Sequence, residues 1–445
     1  MAACFRTCRP SAGGEWTDRE HNEQASAFCS PHASEWSAAI NSRDVPEKRT
    51  IASQFEMLAV LSFFYLLSVP TVRPHSFSFD LEGQEEAITP GVKKTNDLEL
   101  LADVFGQPVD AALYNMRYYD RSRAFEADIS VGTPPKVFSV IVDSGSTTLW
   151  LPAVGCATDG PGNRELCAQR AQLFDPAASR TAKRVGGAFG INYGVTGDTS
   201  ATRGVFYSDY FAFGNSNSSL RLRQPVVFGA ADFVARLERG ILGLGIPIAG
   251  QVGTSIFDAA VREGALDSPQ FTLFFRRCPA GRARCANAGV LTLGARDERN
   301  CGGVEATAAA LPFGGPWQFA LDGVAVGGFR FAGRARATAD SGSPLLHLPR
   351  PVVDGIVREL GAWREGHYFA VDCRRSFAIQ LTIGGQTLSI PKEEVTYDLD
   401  GRRCLLNVQA IDADDLWLLG APLLRSYCHV HDWTRRTIGF ARVKK

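Results

Sequence analysis

The chain has 445 residues, 45% of them hydrophobic and 21% charged, an ordinary globular balance that excludes a disordered or fibrous protein. Lys/Arg and Asp/Glu each total 47, so the formal net charge is zero and a generally basic nucleic-acid-binding surface is not indicated. The 44 glycines and 23 prolines demand many turns, which favours strands over a helical bundle.

Along the chain, the first organised signal is the apolar run Met57 to Val69, ended by Pro70. A membrane-spanning helix needs about 20 apolar residues, so this run predicts a secretory h-region rather than a stable anchor. A buried core helix is the alternative. The run starts 56 residues in, and the expectation is that translation begins at Met57 and that residues 1–56 are an upstream extension, possible artefact included. Residues 71–110 then hold eight carboxylates against Arg73, Lys93 and Lys94, a net of −5, whereas residues 111–445 carry a net of +7. Opposite fields of that size can hold a pro-segment on a basic body; a solvated acidic linker has the same charge pattern.

From about residue 124 the strand signals become dense. Glu126 to Val131 alternates polar and apolar residues, Gly132-Thr-Pro-Pro135 turns the chain, and Val137 to Val142 reads as a second, more buried strand. Phe377–Ile383 and Gln386–Ile390 flank Gly384-Gly385 as a hairpin, and Val324 to Phe331 repeats the idea. Helical spacing is confined to Ser255–Leu266 and Pro351–Leu360. The fold class is therefore all-β. Eight cysteines in this body, scattered and without a CxxC pair, fit disulfides in an oxidising compartment better than a metal site, with buried free thiols as the alternative. His429 and His431 share one side of a strand and are expected to pack or face solvent rather than bind metal.

The decisive feature is an internal repeat. Asp143-Ser-Gly-Ser146 recurs 197 residues later as Asp340-Ser-Gly-Ser343. Each copy is followed downstream by an apolar pair and a glycine, Ile241-Leu-Gly243 and Leu418-Leu-Gly420, which indicates two lobes from a duplicated unit. If the two loops meet across a pseudo-twofold axis, Asp143 and Asp340 lie within hydrogen-bonding distance. Two carboxylates that close share one proton. One can then take a proton from water while the other donates to a carbonyl oxygen, which is acid–base amide hydrolysis without a covalent intermediate. A glycosidase requires acids set apart in unlike environments, and no GxSxG elbow occurs.

These motifs, with several others, closely resemble those of the pepsin-like aspartic endopeptidases from about residue 124 to 445. Val142 to Pro152 is similar to the first active-site loop of that family, Ala339 to Leu346 to the second, and Ile191-Asn-Tyr-Gly194 to its flap. Gly240 to Gly245 and Trp417 to Gly420 are similar to the turns that brace the loops, and Tyr427 to Trp433 with Ile438 to Ala441 to the last strands. Cys428 and Asn300-Cys301 resemble the nematode branch in particular.

The resemblance implies a bilobal pepsin-like fold, two β-barrel-like lobes with a cleft between them, and Asp143 and Asp340 as the catalytic pair. It implies crossed hydroxyls at Ser144 and Ser341, outer-oxygen bonds from Ser146 and Ser343, and a flap in which Tyr193 and Gly194 cover the substrate beside Trp150. It also implies the disulfides Cys156–Cys167 and Cys373–Cys404, and by analogy with the nematode branch Cys278–Cys285 and Cys301–Cys428. The expected organisation is an extension (1–56), a signal-like segment (57–70), an acidic pro-segment (71–115), an N-terminal catalytic lobe (116–305) and a C-terminal one (306–445). The partners implied are an extended peptide or protein substrate and the chain's own pro-segment as inhibitor, with no nucleic acid, no membrane anchor, no cofactor and no metal, in a monomer of the secretory pathway, secreted or lysosomal. A catalytically dead peptide-binding member of the fold is the alternative. The chain departs from the family pattern at Pro344, after the second loop, and at Arg239, where aspartate is usual. Its acidic segment inverts the usual basic pro-segment, which favours a mildly acidic optimum over a gastric one.

Overall fold

The computed structural model describes residues 77–84, 125–159, 164–167, 172–193, 200–214, 220–234, 239–277, 284–412 and 416–444. The expected extension and signal-like segment lie outside these residues. Within the expected acidic segment only the strand Phe77–Gln84 is described.

The period-2 pattern after residue 124 becomes the hairpin of Phe125–Val131 and Lys136–Asp143, with Val131 opposite Lys136 across the turn. The expected order of burial is reversed: the first strand is buried at every residue but Asp128, Glu126 and Ser130 included, whereas the second alternates, with Phe138, Val140 and Val142 buried and Lys136 exposed, because only the second has one face away from the core. The Gly384-Gly385 hairpin forms from Ala378–Ile383 and Gln386–Pro391. The helical spacings give Arg350–Leu360, with Pro351 in its first turn and Gly361 as a left-handed C-cap. The other predicted helix is shorter, Ile256–Arg262, because Glu263 already caps it and Gly264 follows at positive φ.

The same four-part arrangement occurs twice. In the first half Gly240–Gly243 lies parallel to Lys136–Asp143 and antiparallel to Trp150–Asp159, which pairs in parallel with Val226–Val234. In the second half Leu416–Leu419 lies parallel to Phe329–Ala339 and antiparallel to Leu346–Pro349, which pairs in parallel with Val408–Ile411. The first half belongs to a fifteen-stranded sheet and the second to a seven-stranded one, with a further four-stranded sheet beside them. The last strands, Tyr427–Asp432 and Thr437–Val443, join Gln270–Phe275 and Cys301–Ala309 in the larger sheet.

Most buried side chains form one core, which includes Val142, Phe271, Trp317, Phe319, Ala339 and Phe440. A separate cluster of Trp150, Phe189, Phe206, Ala231, Val234 and Ile241 lies under the hairpin Lys183–Tyr193/Ser200–Asp209. Disulfides join Cys156 to Cys167, Cys301 to Cys428 and Cys373 to Cys404. Cys278 lies outside the described residues, and with it the pairing expected for Cys285. Among the described residues no helix is long and apolar enough to cross a membrane.

Candidate active site

Each aspartate sits where a central strand ends. Asp143 is the last residue of Lys136–Asp143, and Asp340 follows Phe329–Ala339. The parallel neighbour then holds each loop by its backbone: Leu244 N–H donates to Asp143 O at 2.8 Å, and Asp340 N–H to Leu419 O at 3.1 Å. The glycine ending each apolar pair is a steric requirement. A Cβ on Gly243 would stand 2.5 Å from the Thr148 nitrogen, and one on Gly420 2.1 Å from the Ser343 oxygen, so only hydrogen lets the two chains approach this closely.

The loops interlock. Ser144 N–H donates to Ser341 Oγ at 2.8 Å and Ser341 N–H to Ser144 Oγ at 3.0 Å. Each hydroxyl in turn donates across the pair at 2.7 Å, Ser144 to Ala339 O and Ser341 to Val142 O. Four buried bonds thus tie together segments almost two hundred residues apart. Pro344, which lacks an N–H, leaves all four intact.

This lock brings the carboxylates together. The inner oxygen of each accepts from its own loop glycine, Gly145 N–H at 2.8 Å for Asp143 and Gly342 N–H at 2.9 Å for Asp340. The outer oxygens accept from Ser146 and from Ser343, the latter at 2.7 Å. A Cβ on Gly145 would meet Asp340 Oδ1 at 2.5 Å and one on Gly342 would meet Asp143 Oδ1 at 2.7 Å, so each carboxylate rests against the other loop. Asp143 is 4% exposed and Asp340 7%. Burial raises both above the ordinary carboxylate range, and Asp143 is pushed further by the Asp340 charge facing it. The hydroxyl and amide donors pull in the opposite direction without cancelling burial. A pair in this state holds one proton between two acids.

Over the first loop, Trp150 Nε1–H donates to the Tyr193 hydroxyl at 2.7 Å. Burial and the Asp143 charge keep that hydroxyl un-ionised, which places it beside the dyad. Gly194, expected on the flap, lies outside the described residues.

One feature escaped the sequence, and one expectation left open between packing and solvent is decided. Arg239, the departure from the expected aspartate, sets its Nε 3.3 Å from the carboxylate of Glu126, which is buried. Arg239 has no counterpart signal in the sequence because its partner is more than a hundred residues away. The His429/His431 pair packs and does not face solvent. His431 stacks on Phe271 at 4.3 Å and His429 meets Phe440 edge-on at 5.0 Å. Burial drives His429 down to about 3 and lowers His431 as well, so both are neutral. One group with metal-ligand side chains among the described residues, Cys373, Asp398 and Cys404, has both sulfurs joined to each other.

A pair of mutually buried aspartates on interlocked Asp-Ser-Gly-Ser loops defines an aspartic-protease-type site. The sequence model of the eukaryotic aspartyl protease family matches residues 124–443, and the chain belongs to that family, with its all-β, bilobal pepsin-like fold. It is 30% identical to aspartic protease 6 of Caenorhabditis elegans over 71% of this chain and 80% of that protein. It is 27% identical to aspartic protease 2 of Necator americanus over 85% and 96%, and 26% identical to cathepsin E of Aquarana catesbeiana over 87% and 96%.

Proposed function

We propose that this chain is an acid-acting aspartic endopeptidase, made as a zymogen in the secretory pathway and secreted or delivered to lysosomes. The observation that carries this reading is the buried pair Asp143–Asp340, each carboxylate resting against the other's loop and both loops held by the crossed serine bonds. A water between the carboxylates gives one proton to the ionised member as its oxygen adds to the peptide carbonyl carbon. The protonated member gives its proton to the carbonyl oxygen, and the tetrahedral diol then collapses as the amine leaves with a proton. Neither aspartate forms a bond to the substrate. Tyr193, on the flap, would close over an extended peptide bound by strand-like hydrogen bonds.

The zymogen reading is supported by Phe77–Gln84, from the acidic segment. This strand inserts in the larger sheet between Arg284–Leu293 and Phe125–Val131, so backbone pairing supplements the charge attraction between segment and body. Glu82 lies directly opposite Glu126 in that pairing.

The test is digestion of denatured globin by the acidified full chain from pH 2 to 7, beside Asp143→Asn and Asp340→Asn. Acid activity that falls at least about a thousandfold in each variant is expected, with cleavage of the chain between Asp110 and Arg123 on acidification. A folded, disulfide-bonded chain that cleaves nothing at any pH would overturn the reading in favour of a peptide-binding protein.

A further inference from the structure

The twofold relation between the halves reaches beyond the loops to a pair of residues with very different chemistry. Trp150 and His347 each lie seven positions after their aspartate. Trp150 is opposite Ile241 and Gly229, and His347 is opposite Leu418 and Gln409. Ile241 and Leu418 are the same position of the two apolar–apolar–glycine turns, and their parallel partners are Ile141 and Thr338. The neighbours match as well. Leu149 and Leu151 are in the main core while Trp150 is not, and Leu346 and Leu348 are in that core while His347 is not. Trp150 reaches Tyr193 beside Asp143; the twofold therefore puts the His347 face beside Asp340.

On the first half this face is apolar and filled, by Ile141, Trp150 and Ile241 against Phe189 and the flap. On the second half it carries Thr338, His347 and Gln409 around Leu418. His347 is 9% exposed, yet among the described residues its Nδ1 has no hydrogen-bond partner, and neither has the buried Thr338 Oγ1. Gln409 and Leu418 are half-buried, so the row is open at one side. Buried polar atoms in native proteins are normally bonded, and two unpaired ones in a polar row beside a reactive centre are ones that a ligand completes. Burial keeps the imidazole neutral down to about pH 4, so one ring nitrogen donates and the other accepts. A carboxamide head offers the complementary acceptor and donor. An aliphatic side chain would leave the row unpaired, and a carboxylate would meet the negative charge of the dyad.

We propose that Thr338, His347 and Gln409 form a polar substrate subsite in the second lobe, with His347 as its specificity-determining residue selecting a carboxamide side chain over an aliphatic one. The inference rests on the endopeptidase reading and is tested so that the two can fail separately. Extended peptides carrying Gln, Glu, Leu or Lys at one position at a time are offered to the acidified full chain, in a cleavable form and in a reduced-bond form that binds without being cut. At one position Gln is expected to exceed Leu by about tenfold in both kcat/KM and affinity. His347→Leu abolishes or inverts that ratio, His347→Gln keeps it, and Gln409→Leu, at the half-buried edge where folding is least affected, lowers it. A Gln preference in binding without cleavage sustains the subsite and removes the protease. Cleavage with no Gln preference at any position, or a preference that survives His347→Leu, overturns the subsite and leaves the protease standing. Neither binding nor cleavage overturns both.

Discussion

The two Asp-Ser-Gly-Ser segments share their sequence, their backbone bracing and their reciprocal bonds, but differ in what lies over them. The first carries an aromatic and aliphatic cluster roofed by the hairpin Lys183–Tyr193/Ser200–Asp209. The second carries a polar row with unpaired buried atoms at Thr338 and His347. The lock between the loops and the surface beside them are thus separate layers. The lock needs symmetry because each serine is donor and acceptor for the other, whereas the surrounding surface is free to diverge into two unlike walls.

The largest expected effects test the symmetric layer. Gly420→Ala forces a Cβ against the Ser343 and Leu345 oxygens and Gly243→Ala against the Thr148 nitrogen. Backbone atoms cannot swing aside, so each change should cost more than about 3 kcal/mol, read as loss of the folded fraction in denaturant. A tolerated alanine at either place would show that the braces are not equivalent.

The pH dependence of stability separates the dyad from the other buried titratable pair. Burial lowers His429 to about 3 and lowers His431 as well, so between pH 6.5 and 3 the unfolded chain binds protons that the folded chain refuses. Their contribution is full above pH 6.5 and is lost as pH falls toward 3. The dyad has the opposite sign: its raised carboxyls contribute most below the ordinary carboxylate range, and that contribution is lost as pH rises. Replacing His429 with Leu should recover about 3 kcal/mol at pH 4 relative to pH 7. Asp340→Asn should leave a steeper net rise of stability with pH. Thermal unfolding at a series of pH values reads both slopes, and parallel curves for wild type and His429→Leu would refute the histidine term.

Ser144→Ala and Ser341→Ala each remove one hydroxyl that donates once and accepts once. About 2 kcal/mol is expected for either, and near-equality is the sharper part of the prediction. The smallest effect belongs to the asymmetric layer. Tyr193→Phe deletes the acceptor of the Trp150 bond and should lower kcat/KM by about tenfold while costing only about 1 kcal/mol in unfolding for the indole N–H left unpaired. A large stability loss instead would make this hydroxyl a structural support for the first lobe rather than part of a cover for substrate.

Much of this molecule is legible without coordinates wherever the signal is local or repeated. The alternation of Glu126 to Val131, the Gly384-Gly385 turn and the spacing in Arg350–Leu360 depend on neighbours two to four residues apart, and these elements formed where the pattern placed them. The repeated tetrapeptide and its distant apolar partners named the dyad and its braces, because duplication writes one piece of chemistry into the chain twice. The short helix Ala421–Ser426 has too few residues for a period to register.

Tertiary structure decided what depends on partners remote in the chain. The sequence shows Ile241-Leu-Gly243 as an apolar turn, but only the fold lays it parallel to Lys136–Asp143 and makes its glycine indispensable. Arg239 reads as a missing aspartate until Glu126 is found buried beside it. His429 and His431 read as an HxH that packs or faces solvent, and only the fold closes Phe271 and Phe440 around them. His347 carries no mark in the sequence at all. Its meaning comes from standing where Trp150 stands in the other half, with a buried nitrogen unpaired, because whether a polar atom is satisfied depends on every strand packed around it.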